Sequence, residues 1–317
     1  MTYKISPQDK RILAEVTWNA RAPIEDIARK LRLRAHTVRR AVQNLDEAMG
    51  FQPVCWTHPF RLGEIPFRVF FRLRGGTPQR VREFVNFMKA LPQVSWFVSL
   101  IGRYQYGVTV RADGHLSLLK LFDEIDQKFG DMIADKSVST VVYLACYTPA
   151  LAHTGAGPRK KLEYSAVPDR LELSALDRQI VEFLRDKPLA SLQEVGRGLG
   201  SNSTTVAYRF NRLVNAQAIL GFGYAYDTSN VQDTEFLVSM VTKGFGSFCF
   251  DAIQKFCAEH GSVWWLGRFI GHWDVELSLS VNKAQDLDLF VQQLTAICRD
   301  QIEEIHIHTF SKLYRDR

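Results

Sequence analysis

A chain of 317 residues with 46% hydrophobic and 23% charged side chains has the make-up of a folded protein and the length of two to four compact units. It lacks any apolar run near the about 18 residues that a membrane span needs, its polar, charged start has no signal-peptide pattern, and its five cysteines form no C-x-x-C pair, so free thiols in a reducing cytoplasm are expected. The net charge of +6 sits in the first half: residues 1–150 hold 22 Lys/Arg against 14 Asp/Glu, and residues 151–317 hold 18 against 20. A positive excess of this kind points toward a polyanionic partner, nucleic acid first.

In chain order, the first predicted element is a helix opened by Ser6, with Pro7 at its first position and Asp9 placed to return a bond to the cap. Ile12, Leu13 and Val16 give it an apolar stripe. Two shorter helical patterns follow, over 24–31 and 35–45, with a tight break between them. Three small helices in this order describe a helix-turn-helix. With Val38, Val42 and Leu45 turned inward, the helical period places His36, Arg40 and Gln43 on the opposite face and Arg39 at its flank. Thr37, Arg32 and Arg34 lie beside them, after Arg29 and Lys30. Arginine recognises guanine edges, glutamine recognises adenine, and both also hold phosphates. The alternative is a solvated charged face on a winged helix that binds protein. A strand-like piece at 51–56 is where a wing would lie. Residues 67–73, 81–90, 94–101, 107–111, 115–129 and 138–146 then alternate as strand, helix, strand, strand, helix, strand, the ferredoxin-like split βαβ order.

Residues 148–171 are rich in Pro, Gly, Ala and basic side chains and lack a sustained period, so they read as a linker. The cluster Arg159, Lys160, Lys161 is either a phosphate contact or plain solvated linker. Beyond it the pattern starts again. Ser174, Asp177 and Ile180 repeat Ser6, Asp9 and Ile12 at an offset of 168, and the same register carries Ile24, Ile27, Leu31, Val38 and Leu45 onto Leu192, Val195, Leu199, Val206 and Leu213. Val94, Trp96 and Gly102 match Val263, Trp265 and Gly271 at 169. The chain is a tandem duplication. Its second third helix turns Thr204, Tyr208 and Asn211 outward, polar and uncharged, with Arg209 and Arg212 nearer the sides. A second strand-like piece spans 218–226, and a second split βαβ spans 235–309. The uncovered face of each sheet is apolar enough to require another sheet, from the same chain or from a second one.

Catalytic signals are poor: there is no G-x-x-x-x-G-K-[ST], H-E-x-x-H or G-x-S-x-G. His306 and His308 alternate on a predicted strand and share a face, but no Cys or third His lies at metal-ligand spacing, so solvent exposure or cross-strand packing is the expected role and no metal or cofactor is assigned. The aromatic run from Trp264 and Trp265 to Trp273 suits sheet-to-sheet packing better than a cofactor pocket.

The opening Ser-x-x-Asp, Ile27-Ala28-x-x-Leu31, Thr37-Val38, Thr205-Val206-x-x-Arg209, and the runs Ile101-Gly-Arg-Tyr-Gln105 and Ile270-Gly-His-Trp-Asp274 together resemble the Lrp/AsnC (feast/famine) transcriptional regulators over nearly all of both copies. That resemblance implies an α+β fold class with two winged helix-turn-helix domains and two ferredoxin-like (RAM-type) αβ sandwich domains in tandem. The boundaries are 1–60, 61–150, a linker at 151–171, 172–228 and 229–317. It implies double-stranded DNA as a partner, bound through Arg32, Arg34, His36, Thr37, Arg39, Arg40 and Gln43, with Thr204, Tyr208, Arg209 and Asn211 in the second copy. It also implies a small-molecule effector, an amino acid by family habit, near Gly271, His272 and Asp274, with Gly102 and Gln105 the weaker pair. Copy one departs from the pattern at Gln105, where an acid is expected, and at Ala41, where a recognition-helix arginine is expected. The implied protein is not an enzyme, is cytoplasmic, and assembles as a homo-oligomer or as a pseudo-dimer within one chain. Two alternatives stay open. The siroheme decarboxylases, tetrapyrrole enzymes, pair two such modules, and Arg268 and His272 would serve a propionate and a proton. The other is a winged-helix module that binds proteins.

Overall fold

The computed structural model describes residues 4–152, 159, 161–166, 170–226, 234–244 and 247–316. Ser6 caps α1 (Pro7–Val16): its hydroxyl accepts from the Asp9 amide, and the Asp9 carboxylate accepts from the Ser6 amide, so two otherwise orphaned donors are satisfied. Next come α2 (Ile24–Leu31), α3 (Ala35–Met49) and the strand β1 (Gln52–Thr57). The split βαβ then runs β2 (Ile65–Leu73), α4 (Pro78–Ala90), β3 (Val94–Ile101), β4 (Tyr106–Ala112), α5 (His115–Phe129) and β5 (Ile133–Tyr147). A short strand β6 (Lys161–Ser165) follows. The second copy repeats the order as α6 (Ala175–Asp186), α7 (Leu192–Leu199), α8 (Ser203–Asn215), β7 (Ile219–Ala225), β8 (Thr234–Thr242), α9 (Ser247–Glu259), β9 (Val263–Gly271), β10 (Val275–Val281), α10 (Ala284–Cys298) and β11 (Ile302–Asp316). The fold is two winged helix-turn-helix domains and two ferredoxin-like αβ modules in tandem, as the periodicity predicts.

The chain folds into two compact units, one built of residues 65–166 and 228–315 and the other of residues 5–64 and 167–227. Each unit therefore gathers matching halves of both copies.

In the first unit each module orders its strands as a ferredoxin sheet, β5-β2-β4-β3 and β11-β8-β10-β9. Both edges of each sheet are taken by the other copy: β3 lies beside β11, and β9 pairs antiparallel with β5 from Ser139↔Gly271 to Cys146↔Trp265. Eight strands thus close on themselves, which removes the open edges that invite aggregation. The pairing of the two sheets is made within one chain. Helices α4 and α5 cover the outer face of one sheet around Phe84, Phe97 and Phe129, and α9 and α10 cover the other around Ile253, Leu266 and Phe290. Between the sheets lies an aromatic core of Phe70, Tyr104, Trp265, Phe269 and Trp273, with Trp96 at its margin.

Two expectations about connections need correction. The segment at 151–171 is not all linker, because β6 pairs with β5 from Tyr143↔Ser165 to Tyr147↔Lys161. Arg159 is not offered to phosphate: its guanidinium donates to the carbonyls of Thr148, Cys257, His260 and Val263, and so caps the end of α9 at Cys257 and His260. Lys161 pairs with Glu163 at 2.9 Å, and Lys160 lies outside the described residues.

The second unit holds both helix-turn-helix trios. The strand pieces expected to serve each copy separately pair with one another: β1 and β7 form one antiparallel ribbon from Gln52↔Ala225 to Thr57↔Ile219. Cys55 and Leu62 of copy one accordingly sit in the core built by α6, α7 and α8. Arg185, 1% exposed in its side chain, joins Glu64 at 2.6 Å, Glu182 at 2.6 Å and the Thr57 hydroxyl at 2.8 Å. Arg21 donates to the carbonyls of Pro188 and Ala190 and lies 3.6 Å from the Phe222 ring centre. The two heads share one ribbon, and copy one lends Cys55 and Leu62 to the core of copy two.

Candidate nucleic-acid interface and ligand turns

The face of α3 follows from its period. Val38, Ala41, Leu45 and Met49 are buried, Val42 is half-buried, and His36, Arg39, Arg40 and Gln43 are exposed. The helix starts at Arg34 without a side-chain cap and has no acid in its first turn. Its first amides and the positive end of its dipole are therefore presented beside Arg32 and Arg34, both exposed, with Thr37 half-buried. Arg39 makes one ion pair, 3.0 Å to Glu25, with both side chains about three-fifths exposed (61% and 59%). Exposed pairs of this kind are worth under about 1 kcal/mol and give way to a phosphate easily. Gln43 donates to Glu47 at 3.0 Å, and Arg40 has no acidic partner among the described residues. Arg32 closes α2 in the left-handed region at φ 55°. The copy-two residue in that place is Gly200, at φ 63°.

Copy two is built differently. Asn202 caps α8 by accepting from the Thr205 amide. Thr204, Tyr208 and Asn211 do face outward, Tyr208 at 69% exposure. Arg209 and Arg212, however, turn onto Asp177, which is 0% exposed, at 3.3 and 3.0 Å. Copy one carries Ala41 and Asn44 in those places and leaves its arginines on the outside. Arg209 thus serves first to tie α8 to the capping box of α6. It also borders an open groove of about 470 Å³ with Glu172, Leu173, Ser174, Tyr208 and Arg212.

The turn residues lie in the other unit, where the β3–β4 and β9–β10 turns meet the opposite module's long strand. Gly102, at φ 147°, is so close to β11 that an added Cβ would stand 2.7 Å from His308, and Gly271, at φ 143°, would meet the Val138 carbonyl at 2.6 Å. Glycine is required at both places. The Asp274 carboxylate accepts from the Thr242 amide at 2.7 Å and the Thr242 hydroxyl at 2.9 Å. In the equivalent place the Gln105 carbonyl accepts from the Leu73 amide at 2.8 Å. An uncharged amide therefore does the work of the carboxylate, and both residues lock the turn to the first strand of their own module.

His272 is exposed beside Trp273, with ring centres 4.4 Å apart, and the His306 ring centre lies 4.9 Å from that of Trp273 while His306 bonds Glu304 at 2.8 Å. Arg103 lies 3.8 Å from Asp135. Partial burial, with Arg103 nearby, depresses the His272 imidazole below its ordinary value. His308 is 1% exposed, packed on Phe70 and Tyr104, and held down to about 4 by burial, with neither ring nitrogen bonded among the described residues. His308 is packed in the interior and His306 is partly exposed beside Trp273. No three His, Cys, Asp or Glu side chains gather into a metal-binding group among the described residues. Arg268 and His272 are not brought together: the Arg268 guanidinium lies 4.9 Å from the Phe250 ring centre on the α9 side of the sheet. Nothing in the sequence alone marked the Arg209–Asp177 tether or Arg103.

Residues 5–48 and again 173–219 match a family model described as winged helix-turn-helix DNA-binding. Over 128 residues, 39% of this chain and 82% of the relative, the sequence is 29% identical to the proline dehydrogenase transcriptional activator of Rhodobacter capsulatus. Among solved structures, the siroheme decarboxylase NirDL overlays on 98% of this chain and 93% of its own with a TM-score of 0.60 at 12% identity, a likeness of fold. An AsnC family transcriptional regulator from Agrobacterium tumefaciens overlays on 45% of this chain and 93% of its own with a TM-score of 0.37 at 17% identity. No described helix is long and apolar enough to cross a membrane.

Proposed function

We propose that this chain is a DNA-binding transcriptional regulator, not an enzyme, whose first head enters the major groove through α3. The observation that carries this reading is the exposed, weakly paired cationic face of that helix, formed by Arg32, Arg34, His36, Arg39, Arg40 and Gln43 on a winged helix-turn-helix. Arg40 and Gln43 are set to meet base edges, and Arg32, Arg34 and the open first turn of α3 to meet phosphates. The second head contributes Thr204, Tyr208 and Asn211 as an uncharged surface against the same duplex, with Arg209 partly withdrawn. The similarity to a transcriptional activator supports the regulatory part of the reading.

The αβ barrel would bind a small-molecule effector at the two turns. With Asp274 and Gln105 committed to backbone amides, the side chains around the turns are His272, Arg103 and His306 with the carboxylates of Asp135 and Glu304, a set of both signs that suits the carboxylate and the ammonium group of an amino acid. Such an effector acts on DNA binding only through unequal affinity for two arrangements of the protein.

A gel-shift titration against salt, on the promoter DNA of the protein's own gene, tests the main claim. Arg39→Ala with Arg40→Ala is expected to weaken binding by about a hundredfold, to lower the slope of log K against log salt by about 1 through the flanking Arg39, and to relax base preference where Arg40 reaches the bases. A folded double variant with unaltered affinity and slope removes α3 from the interface.

A further inference from the structure

The two αβ modules share a strand register at an offset of 169, so each inward position of one has a counterpart in the other. Arg68 on β2 corresponds to Leu237 on β8, and Gly107 on β4 corresponds to Glu276 on β10: Arg68 pairs across to Thr109 as Leu237 does to Ser278, and Phe70 to Gly107 as Ser239 does to Glu276. Between the sheets Arg68 Nε stands 3.1 Å from Glu276 Oε2, with the two side chains 4% and 0% exposed. The Arg68 guanidinium also donates to the Thr109 hydroxyl at 2.9 Å and lies between the counterpart rings Trp96 and Trp265, at 3.9 and 4.7 Å. Apart from Arg68, the Glu276 carboxylate finds no polar partner among the described residues.

The charges are therefore heterotypic: the cation comes from the first module and the anion from the second. If two first modules of different chains closed on each other, each Arg68 would face a Gly107 and two buried guanidinium groups would lack a counter-ion. If two second modules closed, each Glu276 would face a Leu237 and two buried carboxylates would lack a cation. A buried ion without its partner is strongly disfavoured, whereas the matched pair is tolerated.

We propose that Arg68 and Glu276 form a pairing code that restricts the inner sheet face of the first αβ module to the second module as its partner and bars homotypic closure between chains. Shape contributes to that choice as well, since Phe70 stands opposite Ser239 in the alignment and Tyr104 opposite Trp273, whereas Trp96 and Trp265 match. The pair supplies the charge part of the selection; it adds little to how firmly the faces close.

The test uses the full chain, unfolded in denaturant and refolded at pH 8, above the value of about 7 to which burial pushes Glu276. Light scattering reads the mass of what forms. The double variant Arg68→Leu with Glu276→Leu removes the code while keeping an apolar interior. It is expected to melt no lower than the wild type but to refold with about tenfold more multimer, rising with protein concentration. The same mass distribution as the wild type overturns the proposal. Should that variant fail to fold, co-refolding decides. Arg68→Glu and Glu276→Arg are each self-repelling within a chain but complementary between chains, so their equimolar mixture is expected to give a one-to-one exchanged dimer. Failure of the mixture to form that dimer overturns the proposal as well. Neither arm involves DNA, so a failure here leaves the reading of α3 untouched.

Discussion

Arg32 holds a left-handed backbone conformation in which its counterpart in copy two is Gly200. For an L-residue with a side chain that conformation costs about 1–2 kcal/mol, part of which glycine would return through the greater freedom of its unfolded chain. A side chain kept at a strained position on an exposed cationic turn suggests that the cation is wanted there. Arg32→Gly is accordingly expected to raise stability by about 0.5–1 kcal/mol and to weaken DNA binding, with a loss of about 1 in the salt slope; chemical denaturation and a salt titration of the same variant measure both. Asp274 makes a second residue-scale case. If its carboxylate only locks the turn, an amide suffices, as Gln105 already does opposite the Leu73 amide. Asp274→Asn should then melt within about 1 kcal/mol of the wild type and keep any effector response, while Asp274→Ala loses about 1–3 kcal/mol for the unsatisfied Thr242 amide. A response abolished by the asparagine variant would return the charge of Asp274 to the ligand site.

Among the elements, the ribbon of β1 and β7 has the most exacting packing. Gly223 faces the Thr17 carbonyl and the Trp56 ring so closely that a Cβ added there would lie 2.1 Å from each. Neither neighbour has room to move, because Trp56 packs on Trp18 and Thr17 accepts from the Tyr224 amide. Gly223→Ala should therefore destabilise the two-head unit by about 1–3 kcal/mol or more and blunt DNA binding without touching α3; thermal unfolding and a gel shift measure the two effects. The helices and strands themselves were legible in the sequence, because Ser6–Asp9, Ser174–Asp177 and the 3.6-residue and two-residue apolar periods are local signals. The partner of each strand was not. Periodicity says that residues 51–56 and 218–226 are extended, but a strand's spacing is the same whether it pairs within its own copy or with the other. For the same reason the outward face of α3 could be read from its spacing. The inward swing of Arg209 depends on Asp177, thirty-two residues away, and no local pattern announces it. The pair Arg68 and Glu276 was invisible too, since alternating burial only predicts that such positions are apolar.

At the scale of the whole barrel, two buried ionisable groups pull stability in opposite directions as pH changes. Burial raises the Glu276 carboxyl to about 7, against an ordinary value of 4.5. Between those values the folded state holds more protons than the unfolded one. The contribution of Glu276 is therefore fully present below about 4.5 and is lost as pH rises through 7. Burial lowers the His308 imidazole to about 4, against 6.5, so here the unfolded state holds more protons and the contribution is lost as pH falls from 6.5 toward 4. Over about pH 4.5–6.5 the two slopes offset each other, each being worth about 1.4 kcal/mol per pH unit for one full proton. Removing either group should tilt the profile of the chain, to which His58, His260 and His272, lowered by burial as well, contribute alike in both variants. Glu276→Gln is expected to make stability rise more steeply with pH across that window than in the wild type. His308→Phe, which keeps the stack on Phe70 and Tyr104, is expected to make it rise less steeply than in the wild type. Denaturant titrations of the two variants at pH 4.5, 5.5 and 6.5 should give slopes on opposite sides of the wild type. Parallel slopes would mean that water or a rearrangement reaches the interior between the sheets and that the barrel is not the dry, closed body that its strand pairing describes.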